Sequence, residues 1–491
     1  MNKKLMGVGL LLFAVLVLSI PGAVVASDDE YEAYNLTIQP GSNETELNFT
    51  WFTATPTDIP QLVVCNEGGL KGGKCTNFAS YYKGALRKGN HSKCMNYYEG
   101  EYEIVVVEDD TEIYACKVTM TNVKNNTKYT YVVGNGEIFS DIHKFDTQNK
   151  NNYNFIFVGD PQIGASRDEE SDTAGWVETV TAALTNFENT SFILSAGDQV
   201  ESSTSDSQYD GFFSPEELTS VPFAPAIGNH DTSELYAYHF NVSNEIVPDG
   251  STDPLGYTNG GGDYWFTYGD TLFMVLNTNN SSALSHDEFM AQAIEANPTA
   301  KWRVVVFHHS IYSSARHVDD VNDLRTSMYP VIDQYDIDVV LSGHDHFYAR
   351  TYQLSGGDVL DKACYTSTGR DGQEQTTCVD LIGEVAEEDL QYIGEGKVLN
   401  PEGTVYFTAN SASGSKYYDF TYIEGYTNLY LAAYEQLETP TYLNVEVNRS
   451  TLTVSAYRVD TGERVDTYSI IKTDDFNRGH HHQGRSSLAK Q

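Results

Sequence analysis

Five aliphatic runs in the middle of the chain, "YNFIFVGD", "TSFILSAGD", "VPFAPAIGNHD", "WRVVVFHH" and "IDVVLSGHDH", each end in Asp, Asn or His. Short apolar runs bounded by turn formers are buried strands, and with helical segments between them they make an α/β layer structure. The helical candidates are "TAGWVETVTAALTNF", "HDEFMAQAIEAN" and "RTSMYPVIDQY", and a further run, "TLFMVLNT", lies between the third and fourth. In open α/β sheets ligand sites form outside the carboxyl ends of strands, so the polar residues closing these runs should converge. The last run is the most demanding: Gly343 lets the backbone turn, and His344 and His346 then leave a strand end together. Two imidazoles so placed suit a metal ion better than a core.

The residues in question are Asp160, Gln162, Asp198, Asn229, His230, His308, His309, His317, His344 and His346. Singly, each has an ordinary explanation, since Gly-Asp after a strand is a turn and a lone His is most often a hydrogen-bonded structural residue. Five successive strand ends of this kind exceed that explanation. Mixed oxygen and nitrogen donors suit first-row metals such as zinc, iron and manganese rather than calcium, and so many donors call for two ions. Charge points the same way. With 30 Lys+Arg against 69 Asp+Glu, the formal net charge is −39. No basic stretch could follow a nucleic-acid backbone, which excludes nucleic acid as the main partner. An anionic ligand would be repelled by the bulk field and must be drawn in by local cations such as metals.

At the N-terminus, Lys3 and Lys4 precede an apolar run from Leu5 to Ile20, a Pro-Gly break and small residues ending at Ala26. This predicts a cleaved secretory signal peptide over 1–26, the alternative being an uncleaved anchor. No second apolar run is long enough to span, so a secreted, extracellular or cell-surface protein without a stable membrane span is expected. Six cysteines fit an oxidising compartment: Cys364 and Cys378 predict one late disulfide, and Cys65, Cys75, Cys94 and Cys116 predict two early ones in any of three pairings. Asn35, Asn48, Asn125 and Asn448 begin sequons that matter only in a source that glycosylates.

Between Tyr34 and Thr147, runs such as "ELNFTWFT", "QLVVCN" and "YACKVTMT" alternate in polarity and predict an all-β antiparallel sandwich. Gly68 to Lys74, "GGLKGGK", imitates a phosphate loop, but Cys75 follows instead of Ser or Thr and no helix pattern does, so a Gly-rich hairpin loop is expected. The loop-rich, acidic stretch from Thr351 to Tyr418 predicts a flap near the site. The strands "TYLNVEVN", "TLTVSAYRVD" and "YSIIKT" then close a second sheet, and the His-containing tail should be disordered. The expected division is a signal peptide over 1–26, a sandwich over 34–147, a catalytic domain over 153–472 and a tail over 473–491.

The ordered set Gly159-Asp160, Gly197-Asp198, Gly228-Asn229-His230-Asp231, Val305-x-x-His308 and Gly343-His344-x-His346 resembles the calcineurin-like metallophosphoesterase superfamily, and within it the purple acid phosphatases. The preceding sandwich resembles the fibronectin type III-like N-terminal domain of the large purple acid phosphatases. The resemblance implies an α/β (α+β four-layer) fold of two mixed sheets flanked by helices, and a metal-dependent phosphoric ester hydrolase. It also implies a ligand set. Asp198 would bridge two ions, Asp160 and His346 would hold one, and Asn229, His308 and His344 the other. His309 would be a neighbour. His230 would face the substrate with Asp231 to orient it, and His317, nine residues beyond His308, would face the leaving group as general acid.

Two departures bear on the metals. The family tyrosine three residues after the bridging aspartate is Glu201 here, so the charge-transfer colour should be absent. Other branches place a histidine at the position of Gln162. The first site is therefore a strong ligand short unless Gln162, Glu201 or water supplies one, and the pair is drawn from iron, zinc and manganese. Ala349, in the Tyr348-Ala349-Arg350 ending, replaces a glutamate common in plant members. The activity implied is hydrolysis of small phosphate monoesters by metal-bound hydroxide, without a covalent enzyme intermediate. The rivals are a phosphodiesterase or nucleotide pyrophosphatase on the same site, and a surface-binding protein with a vestigial site. The resemblance also allows a homodimer.

Overall fold

The computed structural model describes residues 31–66, 95–106, 112–246, 257–368, 373–385, 391–392 and 396–473. The expected signal peptide, the loop at Gly68–Lys74, Cys75, Cys94 and the tail from Asp474 lie outside the described residues.

Alternation builds the N-terminal sandwich. Strands Tyr34–Pro40, Glu46–Thr53, Glu112–Thr121 and Glu101–Val106 form one antiparallel sheet, and Met95–Glu99, Gln61–Asn66, Lys128–Gly134 and His143–Asp146 the other. Phe49, Trp51, Cys116, Val118 and Met120 point into a core shared with Val64 and Tyr131. With a period of two, Asn48, Thr50, Lys117 and Thr119 must then face outward. That face meets the next domain through hydrogen bonds to backbone carbonyls: Asn48 Nδ2 to Asn241 (2.7 Å), Thr50 Oγ1 to His239 (2.8 Å) and Lys117 Nζ to Ala237 (2.8 Å).

The second domain holds two mixed sheets. Five of its strands carry the site: β1 (Asn152–Val158), β2 (Thr190–Ser195), β3 (Phe223–Pro225), β4 (Trp302–His309) and β5 (Val339–Gly343). β3, β2 and β1 are parallel and continue into antiparallel Thr441–Asn448, Thr451–Arg458 and Arg464–Ile471. β4 and β5 lie parallel between Thr271–Leu276 and Val405–Thr408 in the other sheet. Each sheet is buried on both faces, which is why its strands read as unbroken aliphatic runs. Phe155 and Phe157 face the space between the sheets with Val304, Val306 and Leu341. Ile156 and Val158 face outward onto Trp176 and Val180, and on the other side Val305 and Phe307 meet Phe289 and Met328. The result is four layers, helix, sheet, sheet, helix.

Helix α1 (Glu169–Asn186) shows how one outer layer is set. Asp168 caps it by accepting from Ser171 N, and Asp172, Trp176, Thr179, Val180 and Ala183 make its buried stripe at i, i+4, i+7, i+8 and i+11. Trp176 Nε1 donates to Phe212 O at 2.8 Å, so the large ring is buried with its donor satisfied.

Two expectations are corrected. Cys364 and Cys378 do form a disulfide and Cys65 is disulfide-bonded, but Cys116 is a free, buried thiol. Two early disulfides are therefore excluded; Cys116 points into the sandwich core, where packing rather than bridging sets its place. The stretch read as a flap is mostly regular: Leu354–Thr368 and Glu374–Val385 pair as an antiparallel ribbon with Cys364 opposite Cys378. The ribbon packs on helix Asn322–Gln334, where Asn322 Oδ1 accepts from Asp380 N at 3.0 Å. Among the described residues of that stretch, Lys416 and Tyr418, at its end, border the cleft.

Candidate metal centre

The carboxyl ends of β1, β2, β4 and β5, with the loop after β3, meet in one cleft of about 220 Å³ lined by Asp198, Asn229, His230, His317, His344 and His346, with Gln162 also in its wall. The chain must turn sharply where each strand stops. Asp160, Gln162, Asp198, His344 and His346 all have positive φ, between 37° and 72°. Non-glycine residues adopt that region at a cost, and a cluster of them at strand ends marks a site whose surroundings enforce the geometry.

His308 is the centre of the arrangement. Its Nδ1 lies 3.1 Å from the Ala196 carbonyl, which can only accept, so Nδ1 carries a proton and Nε2 is the nitrogen turned to the cluster. Around that Nε2 stand Asn229 Oδ1 at 3.0 Å, His344 Nδ1 at 3.0 Å and Asp198 Oδ2 at 3.2 Å. Atoms grouped so closely around one ring nitrogen are held by a shared cation, either a proton on Nε2 or a metal ion in its place. Spacings near 3 Å are also the edges expected between donors about 2.1 Å from a common ion.

A second group adjoins it. His346 Nε2 is 3.6 Å from Asp160 Oδ1, too far for a hydrogen bond and suited to two ligands of one ion. His346 Nδ1 is 3.0 Å from the Lys416 carbonyl, which fixes its tautomer in the same way. Asp160, Asp198 and His308 each offer a donor atom within 4.8 Å of the others. Gln162 Nε2 donates to Glu201 Oε2 at 2.7 Å, and its Oε1 is buried with no partner among the described residues. An orphaned carbonyl oxygen in the cleft wall is free to serve as a metal donor. The residues present thus fit two ions, with mixed O and N donors of first-row type.

The charges inside this cluster are strongly coupled. Burial pushes the Asp160 carboxyl up to about 7. Burial also opposes ionisation of Asp198, but His308 and His230 outweigh it and hold that carboxyl well below its usual range. Burial disfavours the His308 imidazolium, but Asp198 and Asp160 outweigh it and raise the ring to about 9, so a metal ion binding at Nε2 displaces a proton.

The remaining candidates stand at the rim or behind it. His230 Nδ1 bonds the Glu201 carbonyl at 2.7 Å, leaving Nε2 for the cleft, and its backbone N–H donates to Asp198 Oδ1 at 2.9 Å. Asp231 does not orient that ring. Its buried carboxylate instead accepts from the backbone N–H groups of Asp198 (2.6 Å), Gly228 (2.9 Å) and Gln199 (3.2 Å), locking two site loops together. His317 Nδ1 bonds Asp320 Oδ2 at 2.9 Å, and its ring lies 4.2 Å from that of His344. His309 bonds Thr278 Oγ1 at 2.8 Å and is a neighbour, as expected. Three cleft residues escaped the sequence reading: Arg316, Lys416 and Tyr418. Adjacency to His317 was the only signal for Arg316, and Lys416 and Tyr418 had only their place at the end of the stretch read as a flap.

Residues 138–348 match the calcineurin-like phosphoesterase family, and residues 33–147 match the purple acid phosphatase N-terminal domain. The chain is a purple acid phosphatase N-terminal domain joined to a calcineurin-like metallophosphoesterase domain. Purple acid phosphatase PPD1 from yellow lupin (Lupinus luteus) seeds has a TM-score of 0.64 and 15% identity, over 91% of this chain and 76% of that one. The structure of PhoD gives 0.50 and 11%, over 94% and 98%. At these identities the likeness is one of fold. In sequence, the chain is 25% identical over 165 residues to uncharacterized proteins from two strains of Mycobacterium tuberculosis, covering 28% of this chain and 29% of theirs. It thus spans under a third of the length of those relatives.

Proposed function

We propose that this metallophosphoesterase hydrolyses small phosphate monoesters, with Asp198 between two ions, Asp160, His346 and Gln162 on one and Asn229, His308 and His344 on the other. The observation that carries the reading is the convergence on His308 Nε2 of Asp198, Asn229 and His344 within 3.2 Å. Bound there, the ions would supply a water made nucleophilic near neutral pH and positive charge for the phosphoryl oxygens.

The chain's own residues do the rest. Ala196 and Lys416 carbonyls hold His308 and His346 in the tautomers that present Nε2. His230, with Nδ1–H held by the Glu201 carbonyl, donates Nε2–H to a phosphoryl oxygen as the imidazolium. His317, tied through Nδ1 to Asp320, has Nε2 left to give a proton to the departing oxygen. The leader-like pattern of residues 1–26 and the Cys364–Cys378 disulfide are what favours a site of action outside the cytoplasm.

The test is the initial rate on p-nitrophenyl phosphate against bis-p-nitrophenyl phosphate, for protein reloaded separately with zinc, manganese and iron. A monoester preference abolished by Asp198→Asn is expected. A diester preference would transfer the site to phosphodiester cleavage.

A further inference from the structure

A protein with 69 acidic and 30 basic residues has carboxylates to spare for every cation. Arg316 and Lys416 nevertheless line the cleft with no ion pair to any described residue. Each stands 5.3 Å from the centre of the Tyr418 ring, which is itself edge-on to His317 at 5.1 Å and to His346 at 5.0 Å. Their places are fixed by the site's own backbone. Arg316 is the residue before His317, and the Lys416 carbonyl receives His346 Nδ1.

The rim is therefore asymmetric. On the His230 side stands the Glu201 carboxylate, 3.8 Å from the His230 ring nitrogen, and on the His317 side two cations, Arg316 and Lys416, stand against one carboxylate, that of Asp320, which His317 Nδ1 already holds at 2.9 Å. An anionic leaving group would be repelled by the first side and held by the second.

We propose that Arg316 and Lys416 form a second anion subsite on the His317 side, which fits the cleft to substrates whose leaving group is itself a phosphate. Inorganic pyrophosphate and the terminal phosphate of nucleoside di- and triphosphates have this chemistry. The inference deepens the phosphatase reading and rests on it. In the reaction, the water oxygen bonds to the terminal phosphorus and the bridging P–O bond breaks. The electron pair of that bond stays on the leaving phosphate. Of the two water protons, one remains on the new phosphate and the other ends on the leaving one. Charge that builds on the leaving phosphate is met by the guanidinium and ammonium, and Arg316 can take two oxygens at once.

The experiment compares kcat/KM for inorganic pyrophosphate and for p-nitrophenyl phosphate in the parent protein, Arg316→Gln, Lys416→Gln and the double variant. Removing a charge-assisted contact should lower the pyrophosphate to p-nitrophenyl phosphate ratio about tenfold per site. Added salt should lower the same ratio in the parent. Ratios that stay within about twofold in the double variant, far below the effect of a lost ionic contact, would overturn the subsite while leaving the phosphatase reading standing. Failure of the parent to turn over either substrate would overturn both.

Discussion

The buried imidazole of His239 should make the junction between the two domains sensitive to acid. His239 ends the short helix Glu234–His239, its carbonyl accepts from Thr50 of the sandwich, and its ring lies 4.0 Å from Tyr209, 4.5 Å from Phe52 and 5.0 Å from Phe213. Neither ring nitrogen has a partner among the described residues, and neither has the Tyr209 hydroxyl. Burial first, and then the Lys117 charge, push the imidazole down from its ordinary 6.5 to about 3. Between those values the unfolded chain binds a proton that the folded chain does not, so stability falls as pH falls below about 6.5. From pH 7 to pH 5 the loss comes to about 2 kcal/mol from this group alone. His239→Leu removes the titration and keeps an apolar side chain against the same rings. Urea unfolding of both proteins at the two pH values cancels every other titrating group. The parent should lose about 2 kcal/mol more than the variant on acidification, whereas equal losses would refute a neutral, unpartnered His239.

Three further outcomes follow from the geometry. Glu201→Ala should weaken the binding of one of the two ions about tenfold, read by competition with a chromophoric chelator, because the Gln162 amide loses the acceptor that fixes its orientation. Glu201→Gln, which keeps an acceptor oxygen, should restore most of that affinity. In Gly228→Ala the new Cβ would sit 2.0 Å from Asp198 Oδ1 and 2.3 Å from Asp198 N, so metal affinity should fall by about tenfold to a hundredfold; affinity unchanged in the same chelator assay would mean the loop gives way. Cys116, whose thiol burial pushes up to about 12, should be alkylated by iodoacetamide only in denaturant, as mapped by peptide mass spectrometry.

What was legible in the sequence was whatever is local. Strands buried on both faces must be aliphatic throughout, so β1, β2, β4 and β5 announced themselves, and each site residue lies at the carboxyl end of its strand or just past it. The period of two also separated the sandwich core from its docking face. What depends on packing between distant segments was hidden. Arg316, Lys416 and Tyr418 meet only because the chain returns to the cleft after the long ribbon, and no spacing encodes that return. Asp231 read as an orienter of the neighbouring His230 because it is adjacent in sequence. The fold uses it to gather three backbone N–H groups from two loops. Cys116 read as half of a disulfide because cysteines were counted; its direction into the sandwich core decided otherwise.

The central claim is that the strand-end residues hold two ions with Asp198 between them. Its most direct test is the number of zinc or manganese ions retained per chain after equilibrium dialysis, measured by elemental analysis, for the parent and for Asp198→Asn. Two ions in the parent and at most one in the variant are expected, since loss of the shared carboxylate weakens both sites. A parent that retains no ion, or a variant that still holds two with unchanged affinity, would contradict it.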